Sequence, residues 1–429
     1  MLRRVFVASM IAGLILLGLV SEARDIQARL LLPAFLSDTD QIRAVGLTNP
    51  FGYGIADQGR YLRNPYSAGW DTVEQALTPA LALELRSAGF NTIRLVIDPA
   101  PLLVPDEENL SRLLKQIVDA VAYIVQARLK CIVDIHPSWD PAVPGNRATD
   151  LLDGPGNKFG TLVLVESRLA TELGRHFPPQ SVAMELFNEP PRIRYLFAAR
   201  AWKSYLDRLY GAVRQTAPNL TLIVSGDDYG SVEALTTLDP TSYDLNTVYS
   251  FHDYHPMVFT HQAVEASVVG FGIRYVRGLK FPPDPAQRKA VTARALDALE
   301  RDESLSTADR VDARQKLNDV LNRYFEMPQD EAWIRQRVLA GFRWAVRNGV
   351  SPSRVFWGEF GVWGELGTGN GADDSDRNAY LATIRHLAED LGFGWGVWEL
   401  TNPVTAWRIL AQSKDRRSLD PGVRSALFD

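Results

Sequence analysis

Eight short runs, rich in apolar, β-branched and aromatic residues, recur along the chain, with longer stretches of helical spacing between them. They fall at residues 42–48, 91–97, 130–136, 182–188, 220–226, 246–252, 354–360 and 394–400. Most are apolar nearly throughout, as expected of parallel strands covered on both faces. The intervening stretches place apolar residues at i, i+3, i+4 and i+7, most plainly in SRLLKQIVDAVAYIVQARL, residues 111–129. Thr78 followed by Pro79 reads as a helix start, and Gly89 suits its end. Further helices are expected within residues 196–215, before the fifth run, and 376–392, before the eighth. Eight strand–helix units predict an α/β fold closed into a (β/α)8 TIM barrel.

One connection breaks the rhythm. Between the sixth and seventh runs, residues 284–325 read as two charged amphipathic helices, with Ser306 capping the second. Residues 330–349 then supply the ordinary barrel helix. Residues 256–328 are therefore expected to be a helical insertion on the upper face, either shaping a cleft or standing as a solvated addition. There is no internal repeat and no low-complexity linker.

The N-terminus opens with Arg3 and Arg4, runs apolar from residue 5 to residue 20, and continues Ser21-Glu22-Ala23. That layout predicts a secretory signal, or an inner-membrane tether if uncleaved. Residues 1–23 are set apart from the fold, and residues 24–429 are read as a single domain that is secreted or periplasmic and monomeric.

Composition changes little. Net charge is -5 and charged residues make up 23%, which gives no electrostatic footprint for nucleic acid. The one cysteine, Cys131, cannot form an internal disulfide and reads as a small buried hydrophobe. Ten tryptophans allow platforms for flat, uncharged ligands, although most such rings fill cores.

Barrel enzymes carry their chemistry at the C-terminal ends of the strands. The polar residues there are Arg94, His136, Asn188, Glu189, His252, Tyr254 and Glu359, with Trp398 on the eighth run. Side chains alternate along a strand, so Asn188 and Glu189 cannot share a face unless the turn before Pro190-Pro191 redirects Glu189. Two glutamates facing each other across a barrel mouth meet the requirement of glycoside hydrolysis, in which one carboxyl protonates the leaving oxygen while the other attacks the sugar or activates water. Arg94 would keep Glu359 ionised, and the Tyr254 hydroxyl could donate to it. Asn188 could hold the sugar 2-hydroxyl, His136 could bond hydroxyls or orient the acid, and Trp398 could stack beneath the ring.

In this order the residues resemble glycoside hydrolase family 5, the cellulase family of the retaining β-glycosidase clan. The shared pattern is Arg94 in NTIRLVI, His136 in VDIH, Asn188-Glu189-Pro190 in LFNEP, His252 and Tyr254 in FHDYH, Glu359 in WGEFG and Trp398 in GVWEL. The resemblance spans residues 40–405. It implies Glu189 as acid/base, Glu359 as nucleophile, the other six as substrate-binding residues, and retention through a glycosyl-enzyme with no metal or cofactor. The expected partner is a β-linked polysaccharide or oligosaccharide, cut internally as by an endoglucanase, with transfer to an acceptor sugar as a variant. A non-catalytic glycan-binding or exopolysaccharide-assembly protein on the same barrel is the alternative. Pro137 after His136, the segment GLTNPFGYG at residues 46–54 and the insertion depart from the common pattern, and they bear on the substrate.

Blander roles compete elsewhere. Glu185 reads as a structural ion pair in the barrel floor. His255 and His261 read as loop surface, and His176 and His386 as solvated helix positions. No common zinc spacing joins the histidines. Trp139, Trp363 and Tyr229 fall in upper loops as sugar platforms or plain packing, and GTGNGADD, residues 367–374, reads as a flexible turn.

Overall fold

The computed structural model describes residues 32–37, 41–57, 60–66, 72–104, 106–137, 147–153, 156–192, 202–265, 272–365, 369–401, 406–411 and 417–429. The N-terminal segment of residues 1–23 and Trp139 lie outside these residues, as do parts of the insertion and of the 367–374 turn.

All eight apolar runs are strands. They are β1 Arg43–Leu47, β2 Thr92–Ile97, β3 Lys130–Ile135, β4 Val182–Glu185, β5 Thr221–Ser225, β6 Thr247–His252, β7 Val355–Phe360 and β8 Gly394–Val397. Every neighbouring pair is parallel, and β8 pairs with β1 to close the barrel. The register runs Leu47 beside Leu95, Asp134 beside Glu185, and His252 beside Glu359.

Several helices begin where short polar side chains satisfy their free amides. In α1, Pro79–Ala88, Thr78 accepts from the Leu81 amide. In α2, Glu107–Gln126, Asp106 accepts from Asn109. The next two are α3, Lys158–His176, and α4, Trp202–Thr216. The expected helical pair of the insertion is present as α5, Arg288–Glu300, and α6, Thr307–Glu326, with Ser306 capping the latter. The barrel helix α7, Glu331–Arg347, follows, then α8, Asp374–Asp390, and α9, Pro421–Phe428. His386 on α8 is exposed, as expected.

Inside the barrel, side chains two apart on each strand form layers. The lowest layer is apolar: Ala44, Ile132, Ala183, Ile223, Val248 and Phe356 pack on Phe35 and Leu36, which seal the floor from below. Lys130 fixes that seal by donating to the Phe35 carbonyl at 2.6 Å. One step higher on the same faces stand Asp134, Glu185 and Ser250, all buried. Glu185 is therefore ion-paired as expected, but one layer above the floor. Cys131 is buried, and burial pushes its thiol upward, in keeping with a packing role.

The insertion is anchored at the C-terminal end of the strands. Lys280 bridges Asp373 at 2.8 Å and Asp376 at 3.1 Å, beside the start of α8. The Tyr324 hydroxyl of α6 donates to the Lys280 carbonyl. Phe281 packs between Phe259 and Tyr380 at 5.4 and 5.2 Å.

Candidate active site

The site is built around one buried cation. Arg94 rises from β2 among acids contributed by three other strands. Its Nε donates to Glu185 at 2.7 Å, Nη1 to Glu359 at 2.6 Å and Nη2 to Asn188 Oδ1 at 2.8 Å, with Asp134 at 3.1 Å from Nη2. Burial works against the charge, but Asp134, Glu185 and Glu359 outweigh it and hold Arg94 well above its ordinary value. A planar guanidinium can serve four partners at once, which a lysine ammonium cannot match.

Glu359 ends β7 with both oxygens engaged. Oε1 accepts from Arg94, and Oε2 accepts from the Tyr254 hydroxyl at 2.8 Å. Burial alone would raise this carboxyl. His252 first, then Arg94 and the Tyr254 bond work against that and bring it to about 2, so Glu359 is ionised at neutral pH. The same surroundings raise Tyr254 well above its ordinary value, burial first and Glu359 next, so its phenol keeps the proton it donates.

Glu189 reaches the mouth through its backbone. Its φ is +44°, in the left-handed region that a residue with a Cβ enters at a cost of about 1–2 kcal/mol. This turn lets Glu189 join Asn188 at the mouth against strict alternation. Its Oε1 lies 3.0 Å from His252 Nδ1. An oxygen of Glu189, a nitrogen of His252 and an oxygen of Glu359 all lie within 4.8 Å of one another. Burial opposes charge on His252, but Glu359 and Glu189 together raise its affinity for a proton. These three could geometrically hold a cation, although Arg94 and Tyr254 already occupy both oxygens of Glu359.

Two close approaches shape the mouth. A Cβ on Gly46 would meet the Trp398 ring at 2.8 Å, and one on Gly358 would meet His252 Nε2 at 2.9 Å. Glycine at these places lets both rings lie over the barrel. Trp398 stacks on His136 with centroids 5.6 Å apart and planes 16° from parallel.

The structure thus brings Arg94, His136, Asn188, Glu189, His252, Tyr254, Glu359 and Trp398 together. Trp363 stands farther out, half-buried and edge-on to Trp407 at 5.7 Å. Tyr229 is 49% exposed and its amide donates to the Pro190 carbonyl, next to Glu189. His261 corrects the loop-surface expectation. It lies edge-on to Tyr254 and Trp407, and burial lowers its pKa to about 3. His255 bonds Asp253, which Arg337 also holds. Sequence reasoning missed Asp134 and Trp407. Asp134 stands two residues before His136 on the same strand face, and that spacing was the available signal. Trp407 lies in a segment with no motif.

A family model described as Cellulase (glycosyl hydrolase family 5) matches residues 62–403. Endoglucanase C of Acetivibrio thermocellus is 27% identical over 204 residues, which is 46% of this chain. The match spans 55% of that relative's length. Among solved structures, the cellulose synthase subunit Z (CcsZ) of Clostridioides difficile aligns over 91% of this chain and 100% of its own, at 19% identity and a TM-score of 0.61. Thermotoga maritima Cel5A in complex with cellobiose aligns over 92% of this chain and 99% of its own, at 16% identity and a TM-score of 0.61. At these identities the structural likeness speaks for the barrel alone.

Proposed function

The chain belongs to glycosyl hydrolase family 5, and from that premise we propose that it hydrolyses a β-linked glycan internally, with retention, through Glu189 and Glu359. The observation that carries this reading is the pairing at the mouth: an ionised Glu359 with an oxygen within 4.8 Å of one on Glu189. Retaining enzymes hold their carboxyl groups about 5–5.5 Å apart, whereas inverting ones need about 6.5–9.5 Å to seat a water.

In the first step a Glu359 oxygen attacks the anomeric carbon as the bond to the leaving oxygen breaks, and Glu189 gives that oxygen its proton. The product is a glycosyl ester of Glu359. In the second step Glu189 takes a proton from water, the water oxygen attacks the anomeric carbon, and Glu359 leaves as carboxylate. Arg94 and Tyr254 hold Glu359 in place and ionised. Asn188 meets the 2-hydroxyl, a contact that strengthens as charge develops on the ring. Trp398 lies beneath the sugar, and Trp363 and Tyr229 are outer contacts in this reading. No metal or cofactor enters these steps.

The endoglucanase relatives favour β-glucan as substrate. The name of the cellulose synthase subunit favours a second setting, a glycan-binding or exopolysaccharide-assembly protein, for which two intact carboxylates would be superfluous. The purified full chain is to be assayed for reducing ends released from glucans, mannan and xylan, beside Glu359→Gln. Release by the wild type and none by the variant is expected. Equal activity in both would remove Glu359 as nucleophile, and no release from any glycan would favour the binding protein. Azide added to Glu359→Ala with an activated aryl β-glycoside should enter from the vacated face and give the α-azide. Formation of the β-azide would exchange the two roles.

A further inference from the structure

Beneath the mouth lies a closed circle of four side chains whose protons can be assigned from one member. A guanidinium offers donors only. The Asn188 atom 2.8 Å from Arg94 Nη2 is therefore the amide oxygen. The amide nitrogen then faces His136 Nε2 at 3.1 Å. That nitrogen has only hydrogens to offer, so Nε2 must accept and the imidazole proton must sit on Nδ1. Nδ1 lies 2.8 Å from Asp134 Oδ2. The same Oδ2 lies 3.1 Å from Arg94 Nη2 and closes the circle. Asp134 is wholly buried and cannot touch a substrate.

We propose that Asp134 is a positioning residue: by holding the His136 proton on Nδ1 it fixes the Asn188 amide, leaving its second N–H for the 2-hydroxyl oxygen of the sugar beside Glu189. Only the last clause rests on the hydrolase reading. Two influences compete on the ring. Burial disfavours charge on His136, but Asp134 and Glu359 outweigh it and raise the ring's affinity for a proton above its ordinary value. A second proton would have to sit on Nε2, against the amide hydrogens of Asn188. Turning the amide to receive it would set those hydrogens against the Arg94 guanidinium. The circle thus resists the charge that the acids invite, and the Trp398 stack keeps the imidazole plane in place.

Nitrogen-15 spectra of the histidines in the full chain read this directly. The wild type at neutral pH should show His136 protonated on Nδ1 and bare on Nε2. A ring protonated on Nε2, or on both nitrogens, overturns the proposal. In Asp134→Ala the tautomer should become mixed, and kcat/KM on an aryl β-glycoside should fall about 10- to 100-fold, the effect of one polar contact left unmade. The 2-deoxy analogue should lose far less, since it lacks the hydroxyl that Asn188 meets. Asp134→Asn keeps an acceptor oxygen at the same place and should restore most of the rate. A folded alanine variant that retains the Nδ1 tautomer, or that loses equally on both glycosides, refutes the assignment. If the alanine variant fails to fold, the wild-type spectrum and Asp134→Asn decide. A wild type that cleaves neither glycoside would fault the hydrolase reading, while the nitrogen spectra would still judge Asp134.

Discussion

Replacing Arg94 by methionine removes a buried charge while keeping much of its volume. The side chain is 1% exposed and holds Glu185, Glu359 and Asp134 at 2.7, 2.6 and 3.1 Å. Without it those carboxylates face one another with no shared cation. Removing one partner of a buried ion pair costs about 3–5 kcal/mol. Glu359 is drawn from its ordinary 4.5 to about 2 against the push of burial, with His252 first and Arg94 next among the groups that lower it. That displacement corresponds to roughly 3 kcal/mol in favour of the ionised form, of which Arg94 supplies a part. Because the folded pKa is depressed, this contribution stands in full above 4.5 and is lost as pH falls toward 2. Arg94→Met should therefore lower the urea midpoint at neutral pH by an amount equivalent to about 3–5 kcal/mol, and the acid limb of kcat/KM should move up toward that of an ordinary glutamate. Arg94→Lys keeps the charge but cannot span three acids, so it should fall between. A methionine variant with the wild-type midpoint and an unmoved acid limb would refute the claim that Arg94 ionises Glu359.

Two further outcomes are expected. Tyr254→Phe removes the 2.8 Å donor to Glu359 Oε2 and should lower kcat about tenfold, as for one lost hydrogen bond to a charged group; steady-state kinetics with an unchanged kcat would deny the bond a role. Glu166 on α3 is fully buried, and neither of its oxygens has a hydrogen-bond partner among the described residues. Burial holds its carboxyl well above the ordinary range, so the penalty on folding is absent below 4.5 and grows as pH rises above it. Glu166→Leu should stabilise the protein by about 1–3 kcal/mol at neutral pH, a gap that urea titration should find closing in acid; a destabilised variant at neutral pH would overturn this.

The chain's local patterns carried much of this architecture. Strand periods, the cap at Thr78 and the Ser306 cap were legible because each is decided within a few residues of itself. Six of the eight strands listed the mouth residues in order, since parallel strands present their C-terminal ends to one rim. Tyr254 and Arg94 were legible as partners of Glu359 because that rim is shared.

Other features belong to closure of the barrel. Arg94 and Glu359 are 265 positions apart, and only the register of β2 and β7 around the ring brings them to 2.6 Å. The need for a turn before Pro190-Pro191 was legible, but the φ of +44° that carries Glu189 inward is a backbone state that the local residue preferences disfavour. Asp134 looked like one polar residue in an apolar strand, and its meaning came from Arg94 on β2, His136 beyond the end of its own strand and Asn188 beyond β4. His261 looked like loop surface until Tyr254 and Trp407 closed around it. The sequence by itself determined which residues reach the mouth, because alternation and strand ends are local. The tertiary structure decided which of them share protons and charge, because those energies depend on distances that exist only once the last strand meets the first.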